Sequence, residues 1–293
     1  MDIKDLVIYR NLEHQELFRD IAHLMGYAQG GQEPDGASCG GRLTEMAVKY
    51  GFEGNLWHCF LAFCLANNEN AYTTTCEITG PAGGSLDELA REDCRIFKAL
   101  FDYDIRNLEP SGLWALMENY KPARKDSRVF NRRVRNRIVN LAVQLEESAD
   151  AGQFQDHVVE FYREFGVGKF GLNKAFRIIE KEEGQPVIID PIINVEHINF
   201  KDIVGYELQK QKLIENTEAF VDGKEANNVL LFGDAGTGKS SSVKAVLNEY
   251  YARGLRIIEV YKHQFKALSD VLEQIKDRNY KFIIYMDDLS FED

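Results

Sequence analysis

The sequence has no apolar run long enough to cross a membrane: the longest, around Leu56 to Ala66, stops well short of the required span, which is roughly 20 residues. Its first residues, MDIKDLVIYRNLEHQE, carry acids where an export signal needs a basic stretch followed by an apolar one. We therefore expect a cytoplasmic chain with no membrane association. The five cysteines (Cys39, Cys59, Cys64, Cys76 and Cys94) are odd in number and lack the paired C-x-x-C spacing of a zinc site. They read as buried, reduced thiols. Excess positive charge is missing too: 35 basic residues against 47 acidic ones give −12, and a uniformly acidic surface repels nucleic acid and anionic lipid alike. There is no internal repeat and no low-complexity tract.

What is present is enough for two structural units. The chain has 293 residues, 44% hydrophobic and 28% charged, an ordinary globular balance at about twice the usual domain length. Up to about residue 180 the apolar spacing is helical, with helices expected over 12–27, 42–50, 55–67, from 85 to about 103, 110–120, 127–148 and 154–165. Ser85-Leu-Asp-Glu88 has the form of a capping box, and the Thr-, Gly- and Pro-containing stretch 72–84 reads as a break. His58 and His157 fall within apolar helical patterns and read as core or boundary residues rather than ligands. At Gln185-Pro-Val-Ile-Ile-Asp-Pro191, β-branched residues and two prolines end this pattern. The expected division is a helical domain over 1–184, a linker over 185–200 and an α/β unit over 201–293.

In that second unit, apolar runs at 228–232, 255–260 and 282–286 alternate with helical stretches at 206–222, 239–253 and 264–278. Three buried strands linked by two helices at this spacing predict a parallel α/β sheet. Gly233-Asp234-Ala235-Gly236-Thr237-Gly238-Lys239-Ser240 matches G-x-x-x-x-G-K-[ST] and lies between the first run and the next helix, where its mechanism requires it. Glycines let successive N–H groups turn inward on a phosphate, and the helix N-terminus adds its positive end. Lys239 is then placed for the β and γ phosphates and the Ser240 hydroxyl for Mg²⁺, with Ser241 beside it. The magnesium also needs a carboxylate from the end of a buried strand, and Phe282-Ile-Ile-Tyr-Met-Asp287-Asp288 supplies Asp287. Asp288 occupies the position of a general base for water, although it is one methylene shorter than the glutamate more often used there; Glu292 is a nearby carboxylate that could share the task.

These residues resemble those of the AAA+ P-loop ATPases, and more closely the bacterial family designated domain of unknown function 815. The resemblance rests on Asp202-Ile-Val-Gly205-Tyr206, Asn216-Thr-Glu-Ala-Phe220, Ala226-Asn-Asn-Val-Leu-Leu231, Gly238-Lys-Ser-Ser241 and Asp287-Asp-Leu-Ser-Phe-Glu292, and runs from about residue 195 onward. It implies ATP as ligand with Mg²⁺, an adenine pocket lined by Ile203, Val204 and Gly205, and a homo-oligomer in the complete protein. It further implies a sensor strand, an arginine finger and a helical lid beyond the second acidic motif, where this sequence stops. We therefore expect a C-terminally incomplete AAA+-like unit whose cradle strand and Asp287 strand flank an empty slot, and an isolated chain of poor stability.

One basic stretch departs from the overall charge: Lys121 to Arg137 holds eight basic residues and one acid. Arg128, Arg132 and Arg135 share one helical face and Val134, Ile138 and Leu141 another, the pattern of a solvated amphipathic helix. Only Phe130 could stack on a base, so a basic face paired with acids is the plainer reading and a DNA or acidic-partner site the other. The functional readings are thus an ATP-hydrolysing protein that moves or remodels a macromolecular client, and a nucleotide-gated binding module with negligible hydrolysis. A small-molecule kinase fits less well, since such enzymes usually lack the acid after the magnesium aspartate.

Overall fold

A computed structural model describes residues 2–122, 130–181 and 185–287, and the chain divides into two compact units, 1–172 and 173–293. Within the described residues, the first unit is built of nine α-helices: α1 (Gln15–Leu24), α2 (Gly36–Tyr50), α3 (Leu56–Asn67), α4 (Ala71–Thr79), α5 (Gly84–Phe101), α6 (Ser111–Glu118), α7 (Arg132–Glu146), α8 (Ala151–Phe165) and α9 (Gly168–Leu172). Its centre is α3, in which every residue from Leu56 to Ala66 is buried. A helix apolar on all sides has to be enclosed by others, and α7, α5, α6 and α8 pack around it. Asn55 starts α3 by accepting the His58 amide on its side chain, a satisfied N-cap. All five cysteines are buried and free, as the sequence led us to expect.

Two expectations for this unit fail locally. The stretch read as a break contains α4, because Asn70 accepts the Tyr72 and Thr73 amides while Thr73 accepts the Asn70 amide in return. Burial of Tyr72, Thr73 and Cys76 then outweighs the weak helix propensity of its threonines. The expected Ser85–Glu88 capping box is not formed: α5 begins at Gly84, and the residue at its cap position, Gly83, makes no side-chain cap. Among the described residues no helix is long and apolar enough to cross a membrane.

The second unit has a four-stranded sheet of order β2-β1-β3-β4, made of β1 (Ala175–Ile179), β2 (Ile188–Pro191), β3 (Leu255–Glu259) and β4 (Lys281–Tyr285). β1 pairs antiparallel with β2 and parallel with β3, and β3 pairs parallel with β4. Helices α10 (Glu207–Val221), α11 (Lys239–Tyr250) and α12 (Leu268–Ile275) accompany it. Buried Ala245, Val246 and Tyr250 of α11 pack with Leu255 of β3 and with the half-buried Leu213, Ile214 and Phe220 of α10. The sheet corrects the expected boundary at 184 and the linker at 185–200. β1 lies inside the stretch read as helical, and β2 is formed by the segment read as linker. Pro191 ends β2 at an outer strand of the sheet, where the missing N–H costs no ladder bond.

A further correction concerns the run 228–232, read as a buried strand. It takes no part in the sheet. Val229, Leu230 and Phe232 are 49%, 63% and 88% exposed. Apolar composition makes a run fit to be a strand, but the strand exists only when a neighbour takes up its backbone groups, and none of the described strands does so.

Candidate nucleotide-binding site

The glycine-rich turn lies between the exposed 228–232 segment and the first turn of α11. Gly233, Gly236 and Gly238 have φ of 141°, 79° and 84°, values a residue with a β-carbon adopts only with strain. The Thr237 hydroxyl donates to the Asp234 carbonyl at 2.8 Å and fixes the turn. Gly238 is the residue before α11 and provides no side chain to cap it, so the amides of Lys239, Ser240 and Ser241 open the helix without a capping partner and present its positive end. Lys239 folds back over the turn: its ammonium donates to the Gly233 and Asp234 carbonyls at 2.8 and 2.9 Å. A cation held across the mouth of a ring of amides is where an anion of several charges would be met.

The opposite wall comes from the ends of the parallel strands. Tyr285, the last residue of β4, donates its hydroxyl to Ser240 Oγ at 3.3 Å. It is paired in register with Glu259 at the end of β3. Burial, together with the Asp287 carboxylate, pushes the Tyr285 phenol up to about 12. Burial and the charge of Asp287 likewise raise Glu259 above the ordinary carboxylate range. Ser240, Tyr285, Asp287 and Glu259 therefore share one small region at the carboxyl ends of adjacent strands, the position in an open α/β sheet where ligands bind. Ser240 and Asp287 offer hard oxygen donors, which suit Mg²⁺, and such a site needs only one or two protein ligands because water and phosphate oxygens complete the shell. Among the described residues no cluster of three or more His, Cys, Asp and Glu is placed to hold a metal by itself.

Of the residues expected to line an adenine pocket, Ile203 lies beside the turn, its Cγ2 atom 3.6 Å from where a β-carbon on Gly238 would stand. Val204 is 92% exposed and Gly205 has a φ of 82°. Asp288 and Glu292 lie outside the described residues, as do Arg124, Lys125 and Arg128 of the basic stretch. Tyr285 and Glu259 were not singled out from the sequence. Tyr285 could have been, since it stands two positions before Asp287 and strand side chains repeat on one face with a period of two. Glu259 offered only the weaker sign of a charged residue closing an apolar run.

Comparison with known families and proteins shows what this part of the chain is similar to. Residues 172–293 match the family described as protein of unknown function (DUF815). A replication factor C large subunit from Staphylothermus marinus is 35% identical over 81 residues, 27% of this chain and 18% of that protein. Proteasome-activating nucleotidase 1 of Haloferax volcanii is 26% identical over 41% of this chain and 34% of its own length. The C-terminal unit is thus similar to DUF815 sequence and, more distantly, to AAA+ ATPases. A 26S proteasome regulatory subunit 4 homolog from Dictyostelium discoideum, 27% identical over 40% of this chain and 30% of its own, extends the same likeness. This chain thus covers about a third or less of each of these relatives. No solved structure matches. The DUF815 segment begins at the end of α9, so the family match takes in β1 and β2 together with the rest of the sheet.

Proposed function

We propose that the DUF815-like unit binds ATP with Mg²⁺ and that the protein hydrolyses it to move or remodel a macromolecule bound elsewhere, acting as a homo-oligomer. The observation that carries this reading is the Lys239 ammonium resting on the Gly233 and Asp234 carbonyls, with Ser240 and the Tyr285–Asp287 strand end beside it. On ligand entry the ammonium exchanges two neutral carbonyls for phosphate oxygens, a charge-assisted and stronger pairing. Gly233 to Ser241 supply the amide ring, Ser240 and Asp287 hold the metal, and Ile203, Val204 and Gly205 border the base. Magnesium, when bound, neutralises charge on the transferred phosphate. Asp288 orients the attacking water.

Steady-state phosphate release by the protein tests the hydrolytic part. Asp288→Asn should lower turnover while ATP affinity stays within about twofold of wild type; equal turnover would remove Asp288 from this role. The second reading, a nucleotide-gated module that hardly hydrolyses ATP and binds DNA through the basic stretch, rests on the local charge of 121–137. Part of that charge is already committed, since Arg135 pairs with Glu53 and Arg137 stacks on the Phe165 ring. The DNA reading requires affinity that falls steeply with salt, and no binding at low salt would end it.

A further inference from the structure

The helical unit contains a cavity of about 580 Å³ bordered by the start of α3, the outer face of α7 and the segment around Tyr120. Its wall is pinned by a two-way backbone bridge, in which the Gly54 and Tyr120 amides each donate to the other's carbonyl at 2.9 and 3.0 Å. Its volume lies in the range of small-molecule sites. Val139, Val143 and Glu146 follow one another at spacings of four and three along α7, so they share the face that lines it. From α3, His58 and Cys59 contribute. Burial pushes the Cys59 thiol up to about 12, and it donates to the Glu53 carbonyl, so it is a neutral wall atom and not a nucleophile.

His58 is 5% exposed, and its two ring nitrogens are treated very differently. Nε2 is 2.9 Å from the Phe101 carbonyl, which can only accept, so Nε2 carries the hydrogen. Nδ1 is buried with no hydrogen-bond partner, and a Glu146 carboxylate oxygen lies 3.6 Å from it. Burial, opposed in part by that carboxylate, lowers the imidazole below its ordinary pKa. With the ring neutral, Nδ1 turns a lone pair toward that carboxylate. In that state two acceptors face each other at 3.6 Å, and an unmet buried acceptor is costly. Glu53, the other acid of the lining, is already paired with Arg135.

We propose that this cavity binds a small organic cation of the guanidinium class, which donates one N–H to His58 Nδ1 and another to the Glu146 carboxylate. A planar fork of donors spans two acceptors at this separation, and its alkyl part would lie along Val139 and Val143. The site belongs to the helical unit and does not depend on nucleotide binding.

The test uses the full chain with histidine labelled in the ring nitrogens, titrated with ethylguanidinium and followed by nuclear magnetic resonance at pH 7. His58 Nδ1 should begin as an unprotonated acceptor and shift on titration, with a dissociation constant of roughly 1 mM or tighter. Glu146→Gln, a change at a half-exposed side chain that leaves the fold intact, should weaken binding about tenfold or more. Tetramethylammonium, which has the charge without N–H donors, should leave His58 unmoved. An Nδ1 already protonated at pH 7, a His58 signal indifferent to ethylguanidinium, equal binding of tetramethylammonium, or a Glu146→Gln variant that binds as well as wild type would each overturn the proposal.

Discussion

Asp93 ties the N-terminal segment to the helical unit, and its removal has a calculable effect. The carboxylate is fully buried on α5 and accepts three backbone amides: Val7 on both oxygens at 2.9 and 3.2 Å, Ile8 at 2.8 Å and Tyr9 at 2.9 Å. That arrangement seats Leu6 and the Tyr9 ring, which stacks edge-on against Phe97 with 5.6 Å between centroids. Asp93→Ala leaves three amides without an acceptor, each charge-assisted bond contributing about 1.5–3 kcal/mol. The bonds are not independent and the segment can loosen to meet water, so the expected loss is about 3–5 kcal/mol. For a unit of this size that lowers the melting temperature by roughly 10 °C. The sequence provides a selective probe: both tryptophans, Trp57 and Trp114, are buried in the helical unit, so urea unfolding followed by their fluorescence reports that unit alone. A destabilisation under about 1 kcal/mol would refute the reasoning, because it would mean that the segment contributes little to the folded state.

Asn70→Ala should cost about 1–2 kcal/mol in the same assay, since it removes the acceptor of the Tyr72 and Thr73 amides at the start of α4; an unchanged midpoint would show that burial alone holds that helix. In the nucleotide site, Tyr285→Phe deletes the hydroxyl that donates to Ser240 Oγ. Titration calorimetry should then show the magnesium concentration for half-maximal ATP binding raised by about three- to tenfold, with binding of metal-free ATP unaltered. Equal loss with and without magnesium would mean that Tyr285 supports the turn itself rather than the metal ligands.

The glycine turn was legible because its geometry is local: three glycines, a lysine and a serine at fixed spacing dictate backbone turns that need no distant partner. The helix starting at Lys239 and the strands at 255–259 and 281–285 were legible for a related reason, in that apolar runs of strand length alternate with amphipathic helices. The failures share a cause as well. α4 is held by a reciprocal cap and by burial against α8, neither of which appears in the propensity of Tyr72 to Thr79. β1 and β2 depend on pairing with each other and with β3, and Phe176 to Ile179 by itself is indistinguishable from the end of a helix. Conversely, Val229 to Phe232 has the composition of a strand and no strand partner. The contribution of Tyr285 was hidden because it arises only when β4 is brought against the first turn of α11.

Uptake of a triphosphate by Lys239 and the amides around it is the central claim. Differential scanning calorimetry of the chain with ATP and magnesium at about 100 times the dissociation constant should show a stabilisation of roughly 2.7 kcal/mol, and Lys239→Ala should abolish it. A wild-type chain that ATP leaves unstabilised, or a Lys239→Ala variant stabilised as much as wild type, would contradict it.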